Sequence, residues 1–517
     1  MNEEMPSSPV WITLNGARVL ALAGLVFLLP GATQLADAAA VDELAGLVGT
    51  QWYAVHLMGQ RTGYAYRNVQ IVKDAEGNPR LVVEQKVQSR VKLAGLAQDL
   101  SIESLITAVY DTNLNPLSLG VRSDEFGRMR QVTAHVVDGA IEVHTRAGAT
   151  ENTTSFPLPE DFGSDLDLML AILRGEAKVG YRTEFVTFEP DLSRCDRHVM
   201  WITEERTLED GRQAFVVHSR GEALPLEVVS VIANDGDLIS FSTPSLLQLE
   251  VVQTTEQEAL KAAAPLVLSS EIQANLRVDN PRALSMLKVR LDRPGGIPLM
   301  ELPSTVRQEA TPNGEGLLLT VRRHKVKPSG ATFPMHDEQF APYFQPSDLF
   351  QPRDPVILET AREIVGQETD AQLAAEKIVQ WVYRRLHKVN SEPRLISATE
   401  IMEQMSGDCT EHAILCASLC GAVGIPARMV TGIAHARGSF FYHAWNEIYV
   451  GQWVEMDPAW GENAVDAGHI RMASGPVDMS ALANMALAAG RNLGALKVHV
   501  IEYALDDGPV IQTDESR

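Results

Sequence analysis

Between Gly407 and Asp457 the chain sets out a cysteine, a histidine and a carboxylate in an order that few folds satisfy. Gly407-Asp408-Cys409-Thr410 opens a run from Glu411 to Ala422 in which Ile414, Leu415, Leu419 and Ala422 recur at helical spacing, so a helix is expected with Cys409 in its first turn. Unpaired backbone N–H groups and the positive end of the helix dipole favour an anion there, and a thiol is a useful nucleophile only as its thiolate. Gly424-Ile425-Pro426 stops the helix, and Ala427 to Gly432 reads as the strand leaving it. The stretch FYHAWNEIYVGQWVEMDPAW then alternates like two antiparallel strands joined at Gly451-Gln452, with His443 at the start of the first and Asp457 at the end of the second. The two ends of a hairpin lie side by side, so an imidazole–carboxylate hydrogen bond needs no long-range folding assumption. A carboxylate on one ring nitrogen fixes the tautomer and leaves the other nitrogen to take the thiol proton.

Three blocks, GDCTEHAILCASLCGAVGIPARMVTG, YHAWNEIYVGQWVEMDPAWG and DAGHIRM, occur in that order. They resemble the transglutaminase-like fold of the papain-related superfamily, in the form common in exported bacterial proteins, over about residues 350 to 475. The resemblance implies that Cys409 is the nucleophile, His443 the general base and acid, and Asp457 the orienting carboxylate. It implies a short antiparallel sheet packed against helices, with the cysteine on a helix that abuts the sheet. It also implies an upstream helix, for which Asp370 to His387 is the candidate, with Leu373, Ile378, Trp381, Val382 and Leu386 on a core-facing stripe and Gln380 and Trp381 within reach of the site.

The activity implied is thiol-dependent acyl transfer on amide bonds of a protein or peptide through an acyl-thioester. Water as acceptor gives a cysteine peptidase or amidase, and an amine gives a protein-glutamine gamma-glutamyltransferase. The other reading open to the sequence is an envelope binding or assembly factor that works through an N-terminal β domain. The chemistry calls for no metal or cofactor. A zinc set of Cys409, His412, Cys416 and Cys420 is disfavoured because one helix does not wrap four ligands around an ion, and Cys416 and Cys420 read as small buried side chains. His469, in the DAGHIRM block, reads as a support of the fold, and Glu447 as facing an internal partner.

The remaining chain reads as export signal and scaffold. Val19 to Leu29 is an uncharged apolar run broken by Pro30-Gly31, with small-residue cleavage sites at Ala36-Asp37-Ala38 or Ala38-Ala39-Ala40, so residues 1–40 are expected to export the protein to the periplasm or beyond. Glu3 and Glu4 against Arg18 make its leading charge weak, and an uncleaved anchor is the alternative, the one membrane tether foreseen. The net charge of −23 argues against nucleic acid as a partner. Few cysteines in an oxidising compartment mean a fold independent of disulfides, with Cys195 free.

The fold class expected is α+β and multidomain, with antiparallel β units ahead of the transglutaminase-like domain. Residues 41–250 carry repeated hairpin signals at Asp138-Gly139, Asp210-Gly211 and Asp235-Gly236, which favour a curved sheet or half-barrel, and one helix from Asp165 to Leu173 capped by Ser164. Residues 251–345 read as a linker and a smaller β unit, 346–475 as the catalytic domain after a run of prolines from Pro334 to Pro355, and 476–517 as an extension ending in a strand at Lys497 to Tyr503 and a frayed tail.

Overall fold

The computed structural model describes residues 44–513 apart from 94–99, 126–127, 148–149, 164–165, 191–193, 224–225, 244–247, 270, 293–301, 315, 390–395, 479–480, 483–484, 486–495 and 507. Residues 1–40, read from the sequence as an export signal, and Ser164 therefore lie outside the described residues. No helix among the described residues is long and apolar enough to cross a membrane. The chain divides into two compact units, one ending at Val267 and the other spanning Leu268–Arg517.

The first unit is built on hairpins. Asp138 and Gly139 both take positive φ, 48° and 76°, which is the backbone a two-residue turn needs to match the twist of the flanking strands Arg128–Val137 and Ala140–Ala147. Strands from Gly49–Leu57 to Thr150–Pro157 pair in sequence order, as do those from Arg182–Glu189 to Leu249–Thr254. The two meanders join where Gly49–Leu57 pairs antiparallel with Leu249–Thr254. Val132, Ala134, Ile141 and Val143, near one end of this path, share a core with Phe188 from the other end, so the sheet must curve. The helix Leu166–Leu173 buries most of its side chains, and a one-turn helix Glu256–Ala259, capped by Thr255, follows the last strand.

Two five-stranded sheets, a two-stranded parallel pair of His387–Lys388 with Ser406–Gly407, and a set of helices make up the described part of the second unit. One sheet has the order Glu271–Ile272, Ser439–Tyr449, Ala427–Ala436, His469–Gly475, with Trp453–Met456 also pairing to Ser439–Tyr449. The other orders Gln308–Asn313, Gly316–Arg322, Leu284–Asp292, Lys497–Leu505 and Ile511–Gln512. Within the tail that the sequence suggests is frayed, the described residues Ile511 to Thr513 are held to the sheet: Tyr503 pairs with Ile511, and the Thr513 amide donates to the Ile501 carbonyl at 2.9 Å. A polar tail can gain order from backbone pairing alone, without burying apolar side chains.

The helices Pro355–Val365, Ala371–Arg385 and Ala398–Gln404 pack on Cys409–Ala422, whose side chains from Cys409 to Cys420 are all buried. Ala371–Arg385 starts where Asp370 accepts from the Leu373 amide. Its buried face is Ala371, Ala374, Ala375, Ile378, Val379 and Val382, whereas Leu373 is 49% exposed and leaves the expected stripe. The small alanines let two helices approach closely, which a leucine at the same contact would prevent.

Candidate active site

Asp408 is the N-cap of the helix Cys409–Ala422: its carboxylate accepts from the Thr410 amide at 2.8 Å, and the Glu411 carboxyl accepts from the Asp408 amide at 2.6 Å. This capping box satisfies two otherwise orphaned donors and starts the helix at Cys409. Burial pushes both carboxyls up, and Glu411, which also faces the charge of Asp408, is raised well above the usual range. Any side chain at Gly407 would strike the Glu411 side chain, since an added Cβ would lie 2.3 Å from it.

The structure corrects the position of His443. It lies in the middle of Ser439–Tyr449, because that strand begins two residues earlier than the visible alternation suggests, after a tight turn in which Arg437 and Gly438 take φ of 52° and 87°. Trp453–Met456 runs back beside the strand, and Asp457 follows it. The backbones of Asp457 and Glu462 then pair reciprocally at 2.9 Å, closing the loop Pro458–Gly461 and fixing Asp457 beneath it.

Within this frame His443 and Asp457 are joined as expected: Nε2 donates to Oδ2 at 2.8 Å, and both side chains are buried. The other carboxylate oxygen accepts from the amides of Ala459 at 2.7 Å and Trp460 at 3.1 Å. Despite full burial, which works against ionisation, the charges of and hydrogen bonds from His443 and His469 hold the Asp457 carboxyl far below its usual range. The His443 imidazole is in turn pushed down by burial, which outweighs the attraction of Asp457. Its plane is set by Trp460, stacked at 4.1 Å between centroids and 14° between planes, and the Arg282 guanidinium lies over the far face of that indole at 4.1 Å.

The helix that begins at Cys409 reaches the strand carrying His443 through helix–strand packing. The helix lies on Ser439–Tyr449, with the Asn446 amide donating to the Ala413 carbonyl at 3.0 Å. The charge of His443 is felt at Asp408 and at His412, which bracket Cys409 on the helix. Cys409 is 3% exposed. Cys416 and Cys420, further along the same helix, are sealed in the core, and Cys195 is a free, half-buried thiol.

Sequence reasoning missed Arg282, Arg307, Glu455, Trp460 and Asp466. Arg282 bridges Glu462 and Asp466 at 2.6 and 2.8 Å, and Arg307, 2% exposed, pairs with the buried Glu455 at 2.8 Å. Glu455 also accepts from Trp445 Nε1 at 2.9 Å. Trp460, in the DPAW run, is the stacking partner of His443, and Asp466, in DAGHIRM, binds His469. Gln380, suggested as a neighbour of the site, donates to the Gly461 carbonyl at 2.7 Å and so braces the same loop. Glu447 meets internal partners, Arg428 at 2.6 Å and Arg471 at 2.9 Å.

Ligand atoms of His443, Asp457 and His469 lie within 4.8 Å of one another, as do those of Glu462, Asp466 and His469. Arg282 already supplies positive charge to the second set, and in the first both imidazoles are spent on the Asp457 carboxylate. The arrangement is suited to proton transfer through an imidazole held by a buried carboxylate.

Two further imidazoles predict acid sensitivity. His412 donates Nδ1–H to the Asp408 carbonyl at 2.6 Å, its Nε2 has no partner among the described residues, and neither ring nitrogen of His435 has one. Burial pushes both down to about 4. The unfolded rings take up protons near pH 6.5, so the unfolded state binds more protons and stability drains away as pH falls from about 6.5 towards 4. Denaturant unfolding of the second unit is expected to lose about 2–4 kcal/mol between pH 7.5 and pH 5. A flat profile over that interval would show that these rings are charged in the fold.

Among solved structures, the chain is similar to a protein described as "a Putative Cysteine Protease" from Cytophaga hutchinsonii, at 17% identity and TM-score 0.28 over 47% of this chain and 86% of that one. It is also similar to a beta-barrel-like protein of a domain of unknown function from Brucella abortus, at 10% identity and TM-score 0.28 over 40% and 94% of the two chains. No curated protein matches the chain. Residues 358–458 match the family model of the transglutaminase-like superfamily, and the chain carries a transglutaminase-like domain in its second unit.

Proposed function

We propose that the protein is an exported thiol acyl-transfer enzyme that acts on amide bonds of a protein or peptide, with hydrolysis as its main outcome. The hydrogen bond of 2.8 Å from His443 Nε2 to Asp457, beside a helix that begins at Cys409, carries this reading. Asp457 holds the proton on Nε2, so Nδ1 is the nitrogen that takes the proton of the Cys409 thiol. The thiolate, at the positive end of its helix, attacks the acyl carbon, and the backbone N–H of Cys409 donates to the oxyanion that forms. The imidazolium gives its proton to the departing amine, leaving an acyl-thioester on Cys409. Water, deprotonated by His443, adds to the thioester and releases the acid; an amine that reaches the same carbon gives a transferred amide instead. The apolar run Val19 to Leu29 supports export.

The test is brief alkylation of the full chain with limiting iodoacetamide at neutral pH, followed by peptide mapping. Cys409 is expected to label first, Cys416 and Cys420 being sealed and the Cys195 thiol being pushed up to about 11 by burial and by Glu189. His443→Ala is expected to slow Cys409 at least tenfold, an order set by loss of the base. Labelling no faster at Cys409 than at Cys195 would remove the basis for an enzyme. A screen of amide substrates with and without added amine then separates hydrolysis from transfer.

A further inference from the structure

The buried histidine of the DAGHIRM block has a place in the site that neither the family match nor the Cys-His-Asp reading assigns. His469 is fully buried, and its two ring nitrogens face carboxylates on opposite sides: Nε2 lies 3.3 Å from Asp457 Oδ2 and Nδ1 lies 3.4 Å from Asp466 Oδ1. Each carboxylate is committed to accepting. Asp457 takes the amides of Ala459 and Trp460 on Oδ1 and the His443 ring on Oδ2. Asp466 takes the Gly468 amide at 2.6 Å on Oδ1 and ion-pairs with Arg282 through Oδ2. A ring between two acceptors must donate from both nitrogens, and an imidazole with both nitrogens protonated is a cation.

We propose that His469 is a positioning residue, an imidazolium clamped between Asp457 and Asp466 that keeps Asp457 an acceptor aimed at His443 and competes with His443 for its charge. This rests on the assignment of His443 and Asp457 in the reading above. Two cations on one carboxylate oxygen oppose each other, and the His443 and His469 ring centroids are 5.8 Å apart. The charge on His469 therefore favours neutral His443 at rest, ready to accept the thiol proton, over a pre-formed imidazolium.

The groups facing His469 agree with a charged ring. Asp457, Asp466 and Glu462 face it from the loop after Trp453–Met456, Glu455 from that strand, His443 from Ser439–Tyr449, and Arg282 and Arg307 from the segments flanking Leu284–Asp292 and Gln308–Asn313 in the same unit. Burial alone would push the ring down. The Asp466 charge, the hydrogen bonds to Asp457 and Asp466 and the Glu462 charge outweigh it and hold the ring at about 9.

The experiment is an NMR titration of the full chain carrying 15N-labelled histidine rings, with His443 and His469 identified by substitution, beside Cys409 alkylation on the same samples. Both nitrogens of His469 are expected to be protonated at pH 7, and His469→Gln, which keeps a donor but no charge, is expected to raise the His443 midpoint by about one pH unit. A neutral His469 ring at pH 7, or a charged ring with an unmoved His443 midpoint in folded His469→Gln, overturns the proposal. A purely packing role would lower the alkylation rate without moving that midpoint. Should His469→Gln fail to fold, the protonation of the wild-type ring decides alone. An unreactive Cys409 beside a charged His469 would instead sink the enzymatic reading, so the two failures are separable.

Discussion

Asp457→Asn is expected to lower turnover by about 10³–10⁴, roughly 4–5 kcal/mol of barrier, while leaving a folded protein. The amides of Ala459 and Trp460 donate to one oxygen of the side chain, so the carboxamide oxygen must take that place. Its NH₂ then faces the Nε2 atoms of His443 and His469, where the wild-type oxygen accepts from both rings. A donor meeting a donor forces His443 to carry its proton on Nδ1, and the nitrogen needed by the Cys409 thiol can no longer accept. Buried as the pair is, no water repairs the mismatch. The measurement is kcat on a small amide substrate, paired with the Cys409 alkylation rate and a thermal melt. Activity within tenfold of wild type in folded Asp457→Asn would show that His443 is oriented by something else.

The second large effect lies outside the residues that match the family. Arg307→Met is expected to destabilise the second unit by about 3–5 kcal/mol, because it strands a buried carboxylate. Glu455 would keep the Trp445 indole at 2.9 Å and Arg471 at 3.7 Å but lose the guanidinium at 2.8 Å that, with Arg471, holds it ionised against burial. The same guanidinium donates to the carbonyls of Asp466 at 2.6 Å and His469 at 3.3 Å, so the loop that carries both would loosen as well. Combining Arg307→Met with Glu455→Gln should cost less than the sum of the two single changes, since the charge being stranded is gone. Urea unfolding of the full chain measures both, and a loss under about 1 kcal/mol for Arg307→Met would mean that Arg471 suffices. A chain begun at residue 346 lacks Arg282 and Arg307 together, leaving Glu455, Glu462 and Asp466 without their principal cations.

What the sequence by itself determined is what short-range rules control. Helical spacing of apolar residues and a Gly-Ile-Pro stop define the helix that begins at Cys409 and ends at Ala422. Alternation about Gly451-Gln452 defines the hairpin that brings His443 to Asp457, and paired Asp-Gly turns foretell the meanders of the first unit. These signals live within a few residues, where backbone dihedrals and hydrogen bonds are decided. The start of the His443 strand escaped because Ser439 reads as part of a Gly- and Ser-containing turn, whereas it already pairs with Ala436. Only the tertiary structure decided which charges meet in the interior: Arg282 and Arg307 reach carboxylates more than a hundred residues away, burial beside Asp408 pushes the Glu411 carboxyl up, and His469 stands between two acids. Ionisation in a protein interior depends on every neighbour within a few ångströms, and those neighbours are assembled by folding from segments that carry no mutual mark in the sequence.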